Sequence, residues 1–139
     1  MLALKFICED LRQPRNQVRL AADGSGRPEM SFAAHSAYAG RALDAVPSDA
    51  EKLLASLPVE RIEVGPVNSG EAHIMGTTVM GTDPRTSVVD GDCVHHRLRN
   101  LVILGSGTFP TAAPANPTLT IAAVSLRAAA RVQGRRERA

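Results

Sequence analysis

The sequence predicts an α+β domain in which an antiparallel sheet carries its helices on one face. Strand-like segments joined by turns fill the first third of the chain, an alanine-rich helical region follows, and a second helical pattern closes the sequence. Strands and helices that are grouped in this way are typical of the α+β class, whereas a parallel sheet would need them to alternate.

Length and composition limit the classes of function. The chain has 139 residues, enough for one domain, and its 44% apolar and 22% charged content excludes the highly charged disordered class. A net charge of +2 and an aromatic content of 3% give no support to nucleic-acid binding. Apolar runs are far shorter than the ~20 residues of a membrane span, and Lys5 interrupts the first, so we expect neither a span nor a signal peptide. We therefore expect a soluble protein, and a cytoplasmic location only by default.

The first elements read as strands. Residues 2–7 have strand composition, and residues 17–20 alternate polar with apolar side chains. The turn sequence Asp23-Gly24-Ser25-Gly26 follows, and residues 29–32 can return as the partner strand. This order predicts a β-hairpin.

A helical region is predicted over residues 36–57. Pro47 would split it into two helices or kink a single one. Ser48 and Glu51 have the spacing of a capping box, which would start a helix that Pro58 ends.

The second half predicts short strands and a final helix. The strand segments are residues 60–64, 88–90 and 101–104. Asn116 is a favourable N-cap and Pro117 suits the first helical position, so we expect a helix over residues 119–132 that stops at Gly134.

Two loops, residues 71–84 and 100–120, are rich in Gly and Thr and offer backbone amides to a ligand.

A metal site is not expected, because the adjacent His95 and His96 would point to opposite faces of an extended segment. Cys8 and Cys93 do not make a disulfide framework.

Four motifs in these loops follow one another in a familiar order. H-x-x-G-T-x-x-M-G-x-D-P begins at His73, S-V-V-D at Ser87, N-L-x-I-x-G-S-x-x-F-P-T at Asn100, and A-N-P-T-L-T-I at Ala115. Together they resemble the C-terminal domain of the glucose–methanol–choline (GMC) flavin oxidoreductases, and the opening C-E-D and N-Q-V-R-L segments are similar to the entry into that domain. The resemblance implies a domain over residues 1–133, followed by a basic tail over residues 134–139. The sequence around Gly105 is similar to that of the branch that oxidises sugars, alditols and sugar acids.

The resemblance implies catalytic roles for His73 and Asn116. In such enzymes an alcohol loses its hydroxyl proton while its carbon gives a hydride to N5 of FAD. An imidazole can accept that proton near neutral pH, and a carboxamide can orient the hydroxyl without competing for the proton. The alternatives stay open: His73 as a hydrogen-bonded loop histidine, and Asn116 as a helix cap.

The same resemblance implies that Gly105, Ser106, Pro117 and Thr118 contact FAD, in part through the helix start. Gly105 stands where many members have Asp, so a contact from that carboxylate would be missing.

A G-x-G-x-x-G motif is missing from the sequence, and Met1 stands where the C-terminal domain begins. We therefore expect the N-terminal Rossmann-like FAD domain to be lacking, and a separate FAD-binding domain polypeptide to be required for activity on a small alcohol, polyol or sugar. The alternatives are a stand-alone binding module or an inactive remnant that kept the fold.

Overall fold

The computed structural model describes residues 3–67 and 73–137, and its elements are compatible with the α+β class. It contains two helices and two small antiparallel sheets of two strands each. In chain order the elements are β1 (Asp10–Leu11), β2 (Gln17–Leu20), β3 (Pro28–Ser31), α1 (Ala37–Leu54), a 3-10 turn (Ser106–Thr108), β4 (Thr111–Ala112) and α2 (Thr118–Arg136). In the described part of the chain, the strands thus form two separate sheets instead of the single sheet expected.

The predicted hairpin is confirmed. Strands β2 and β3 pair with Val18 opposite Met30, and the turn between them places Gly24 and Gly26 at φ of 74° and 70°, where a side chain would be strained. Val18, Leu20 and Met30 lie on one face of this ribbon, because alternate residues share a face and the register pairs them. We call these three residues the hairpin face; all three are exposed.

Strands β1 and β4 join distant parts of the chain. Asp10 pairs with Ala112 and Leu11 with Thr111. This pairing holds the N-terminal segment beside the segment that leads into α2.

Helix α1 begins immediately after Ser36, whose Oγ accepts a hydrogen bond from the backbone N–H of Ala39 at 3.1 Å. Ser36 is therefore the N-cap of one helix that continues through Pro47. The capping box predicted at Ser48 and the split at Pro47 were wrong, because a cap three turns earlier had already started the helix. The helix ends at Leu54, before the predicted limit.

The remaining predicted strands do not form ladders. The described part of residues 2–7 and residues 60–64 carry no strand assignment. Residues 88–90 and 101–104 contribute only isolated bridges, which pair Val89 with Met80 and His95, and Val94 with Val102. Strand composition alone was not sufficient, since a strand also needs a partner edge.

A small core is formed by residues of the segment that connects α1 to α2, together with one residue of α2. Its fully buried side chains are Val89, Cys93, Val94, Thr108 and Ala128 of α2. Burial raises the pKa of the Cys93 thiol, although Arg127 acts in the opposite direction. Cys8 is only half-buried, and both thiols are free. Cys93 also adopts a φ of 63°, so its turn is fixed in an uncommon backbone conformation.

Helix α2 runs from Thr118 to Arg136, past Gly134, so the stop predicted there was wrong. The first helical hydrogen bond runs from the N–H of Ile121 to the carbonyl of Pro117 at 2.9 Å. The cap position is therefore Pro117, and Asn116 lies one residue before it. Neither helix, over the residues described, combines the length and apolarity that crossing a bilayer requires.

Candidate active site

The loop that begins at His73 is held against the 3-10 turn. The hydroxyl of Ser106 donates to the carbonyl of Ile74 at 2.7 Å. The N–H of Thr78 donates to the carbonyl of Gly107, and that of Met80 to Thr108, both at 2.8 Å. His73 itself is half-buried. Residues 71 and 72 of the predicted loop lie outside the described residues.

Glycine allows this close approach. A Cβ on Gly107 would lie 2.9 Å from Oγ1 of Thr78 and 3.0 Å from Oγ1 of Thr77, so only glycine fits without a shift. Gly76 has a φ of 88°, and a Cβ on it would lie 3.7 Å from the carbonyl oxygen of Phe109. The Gly-Thr pair of the first motif and the Gly-Ser-Gly-Thr sequence of the third therefore allow the two segments to pack closely against each other.

The Asp83-Pro84 part of the first motif forms a tight turn. The carbonyl of Asp83 accepts hydrogen bonds from the N–H groups of Thr86 and Ser87 at 3.1 and 3.0 Å. Oγ of Ser87 donates to the same carbonyl and lies 2.8 Å from Nε2 of His96. Since the single hydroxyl proton is directed to the carbonyl, Nε2 of His96 is the donor in the second contact. The side-chain hydrogen bonds of Arg85 hold the pKa of Asp83 below its ordinary value.

Asp90, the last residue of S-V-V-D, organises the next turn. Its Oδ1 accepts from the N–H groups of Asp92 and Val94 at 2.9 and 3.0 Å, and its Oδ2 from Arg99 at 3.1 Å. Burial opposes ionisation of Asp90, but these hydrogen bonds outweigh it and lower the pKa. The motif residue is thus a structural acceptor.

Asn116, Pro117 and Thr118 occupy the start of α2. Asn116 and Thr118 are exposed and Pro117 is half-buried. The helix is fixed by Ala128 in the core and by Arg127, whose guanidinium donates to the carbonyl of Gly91 at 2.5 Å.

The structure brings some of the predicted site residues together. Ser106, which follows Gly105 at a φ of 108°, is hydrogen-bonded to the loop of His73. Among the described residues, no hydrogen bond joins that loop to Asn116. The catalytic pairing of His73 with Asn116, and the FAD contacts of Gly105, Ser106, Pro117 and Thr118, stay predictions.

Sequence reasoning missed one polar cluster. Oδ1 of Asp10 accepts from the hydroxyl and the N–H of Ser36 at 2.6 and 3.0 Å, and Oδ2 lies 2.8 Å from Nδ1 of His35. Asp10 and Ser36 are 26 residues apart, so no local pattern connects them. Burial opposes ionisation of Asp10, but the hydrogen bonds from Ser36 and His35 outweigh it and lower the pKa.

The described ranges contain no group of three His, Cys, Asp or Glu side chains placed to hold a metal ion. Nδ1 of His95 instead accepts from the N–H groups of Arg97 and Leu98 at 3.1 and 3.0 Å. This histidine therefore closes a turn.

Comparison with known proteins finds the same family that the motifs resemble. The chain is 46% identical over 68 residues to the fructose dehydrogenase large subunit of Gluconobacter japonicus, covering 49% of this chain and 12% of that protein. It is 45% identical over 65 residues to paromamine 6'-oxidase of Streptomyces fradiae, covering 47% and 12%. It is also 46% identical over 57 residues to pyranose 2-oxidase of Tricholoma matsutake, covering 41% and 10%.

The aligned residues span only 10 to 12% of these curated relatives. The family model described as GMC oxidoreductase matches residues 12–125, which include His73, the 3-10 turn and the start of α2. The chain therefore belongs to the GMC oxidoreductases, a family of flavoproteins, and corresponds to their C-terminal domain.

Proposed function

We propose that this chain supplies the catalytic, substrate-facing part of an FAD-dependent oxidoreductase acting on the CH–OH group of an alcohol, polyol or sugar. The observation that carries the proposal is the family match, which extends over both His73 and Asn116. The relatives, a fructose dehydrogenase, a paromamine oxidase and a pyranose oxidase, favour a sugar or a sugar-like polyol as substrate.

The start of α2 fits a partly negative cofactor edge. Since the first intrahelical bond runs from Ile121 to Pro117, the N–H groups of residues 118–120 have no acceptor within the helix. Leu119 beside them is 85% exposed, so this end is open to a ligand. Free N–H groups and the positive end of a 19-residue helix suit the electron-rich side of a flavin. When bound, FAD would accept the hydride that leaves the substrate carbon.

The side chains of the chain itself would manage the proton. An unprotonated ring nitrogen of His73 accepts the proton of the substrate hydroxyl, and the carboxamide of Asn116 holds that hydroxyl in place. General-base assistance of this kind contributes about 10²–10⁴-fold to a rate. Ser106, which is hydrogen-bonded to the loop of His73, and the adjacent Gly105 would line the same site on the cofactor side.

An FAD-binding domain would complete the enzyme and cover the apolar surface. Met30 and Leu20 of the hairpin face are 83% and 74% exposed, and Leu126 of α2 is 73% exposed. An isolated two-stranded ribbon is at best marginally stable in water, so a covered hairpin face would stabilise it. This exposure favours a domain that works against an FAD-binding domain over a stand-alone binding module.

The test is to co-express the chain with the FAD-binding part of a GMC oxidoreductase, such as the fructose dehydrogenase large subunit, and purify the pair. We expect retained flavin absorption in the pair and bleaching on addition of fructose, another sugar or a polyol. His73→Ala should slow the bleaching about 10²–10⁴-fold while leaving flavin bound.

His35→Gln is the matched control, because His35 is an exposed imidazole in the segment that leads into α1. It should bleach at the wild-type rate. A pair that never associates would favour a stand-alone module or an inactive remnant, and equal bleaching by His73→Ala and wild type would refute the mechanism.

A further inference from the structure

We propose that Ser106 is a positioning residue for His73: its hydroxyl tethers the backbone beside the imidazole and fixes the direction from which the ring meets the substrate. The inference deepens the proposed function and rests on it. It assigns to the Ser106 side chain a role different from the FAD contact that the resemblance implies.

The loop after His73 has little side-chain anchorage of its own. From His73 to Thr78, all of which the structure describes, no side chain is buried, and Ile74 is 72% exposed. The next buried side chain is that of Val79. Because packing does not hold this stretch, its hydrogen bonds to the 3-10 turn must do so.

Ser106 makes the tether nearest to His73. Its Oγ donates to the carbonyl of Ile74 at 2.7 Å, one residue from the imidazole, whereas the bonds from Thr78 and Met80 lie further along the loop. Without the hydroxyl, the peptide between His73 and Gly76 would be free to rotate. A catalytic group needs placement within about 0.5 Å and 10–20°, so such freedom would lower kcat.

The turn that presents Ser106 is rigid. The Oγ1 and N–H of Thr108 both bond the carbonyl of Gly105, at 2.9 and 3.2 Å, and Thr108 is fully buried. Contact of Gly107 with Thr77 and Thr78 fixes the distance between turn and loop. The Ser106 hydroxyl therefore acts from a fixed base.

The first experiment measures amide hydrogen exchange on the full chain. In Ser106→Ala we expect the amides of Thr78 and Met80, which donate to the same 3-10 turn, to exchange several-fold faster. Ser106→Thr, which keeps a hydroxyl, should restore protection. Ser31→Ala is the matched control, since the Ser31 hydroxyl also donates to a backbone carbonyl, that of Arg15 at 3.1 Å, and its loss should leave these amides unchanged.

The second experiment uses the complex with the FAD-binding polypeptide. Ser106→Ala should lower kcat about 10- to 100-fold, as expected for a misplaced catalytic group, with KM and flavin affinity changed less than about threefold. Ser106→Thr should recover most of kcat. Unchanged exchange, or faster exchange with wild-type kcat, would overturn the proposal; so would weaker flavin binding without a change in exchange, which would make Ser106 a cofactor ligand.

The two experiments separate the failure of this inference from that of the proposed function. A wild-type complex that binds flavin but never reduces it would refute the proposed function and the catalytic part of the assignment. The exchange data would still decide whether the hydroxyl of Ser106 holds the loop.

Discussion

Oγ of Ser36 lies 2.6 Å from Oδ1 of Asp10, and this hydrogen bond fastens the first turn of α1 to β1. The same hydroxyl accepts from the N–H of Ala39, so one serine caps the helix and links it to a strand 26 residues earlier. The carboxylate of Asp10 is therefore part of the cap, and its removal should loosen both elements.

Asp10→Ala should lower the free energy of unfolding by about 1–3 kcal/mol, because it leaves the N–H and hydroxyl of Ser36 without their acceptor. Urea denaturation at pH 7 measures this. Asp44→Ala, an exposed position in the same helix, is the control and should stay within about 0.5 kcal/mol of wild type. Equal losses in the two variants would contradict the role of Asp10.

The contribution of Asp10 should depend on pH. Its pKa is lowered in the folded chain, so the stabilisation is present above the ordinary carboxyl value of about 4 and is lost as the pH falls through the lower, folded value. The stability difference between wild type and Asp10→Ala should therefore shrink between about pH 5 and pH 2. A difference that grows on acidification would refute this assignment.

Gly107→Ala should destabilise the chain by about 1–3 kcal/mol, since its Cβ would press on two stiff, β-branched threonines. Thermal unfolding followed by circular dichroism measures the loss. Gly91→Ala offers the contrast, because a Cβ there meets nothing within 4 Å, and its melting temperature should match wild type. If the two alanines melt alike, the close approach at Gly107 is not a constraint.

Ala128→Leu should cost about 1–3 kcal/mol by overpacking, because Ala128 is fully buried where α2 meets the core. Ala129→Leu, one residue later and exposed, should be nearly neutral. Chemical denaturation of the pair tests which face of α2 is inward, and the reverse order of stabilities would show that the helix is rotated.

Met30→Glu should weaken association with an FAD-binding polypeptide at least tenfold without changing the melting temperature of the chain alone, because the proposed partner would cover the exposed hairpin face. Ser31→Glu places the same charge on the opposite face of β3 and should associate normally. Calorimetric titration of the two variants measures the difference, and equal affinities would place the interface elsewhere.

Local chemistry explains which elements could be predicted. Residues 17–20 match β2 because alternation and a Gly-containing turn act over a few residues. A helical region beginning at residue 36 was predicted and is present, but the capping role of Ser36 depends in part on a carboxylate from β1, so the local pattern at Ser48 wrongly suggested a second helix start. Residues 60–64 have strand composition without a ladder, since pairing is decided by a partner edge and not by propensity.

The site was predictable to a similar extent. The order of the motifs identified the family. The glycines in those motifs marked the two loops, because glycine is needed where their backbones approach each other closely. The bond from Ser106 to Ile74 was not predictable, since it joins residues 32 positions apart through a side chain and a carbonyl. The resemblance suggested a cofactor contact for that serine, and only the geometry indicated the tether.

The difference in burial between the two thiols provides a test of whether the chain is folded. Cys93 is enclosed and its pKa is raised, while Cys8 is partly accessible. A disulfide reagent such as Ellman's should therefore label one sulfur in the native chain at pH 8 and two after denaturation. In a variant whose second thiol becomes reactive, the core around Cys93 has become accessible. The labelling therefore distinguishes a variant that has lost a side-chain function from one that has lost its fold.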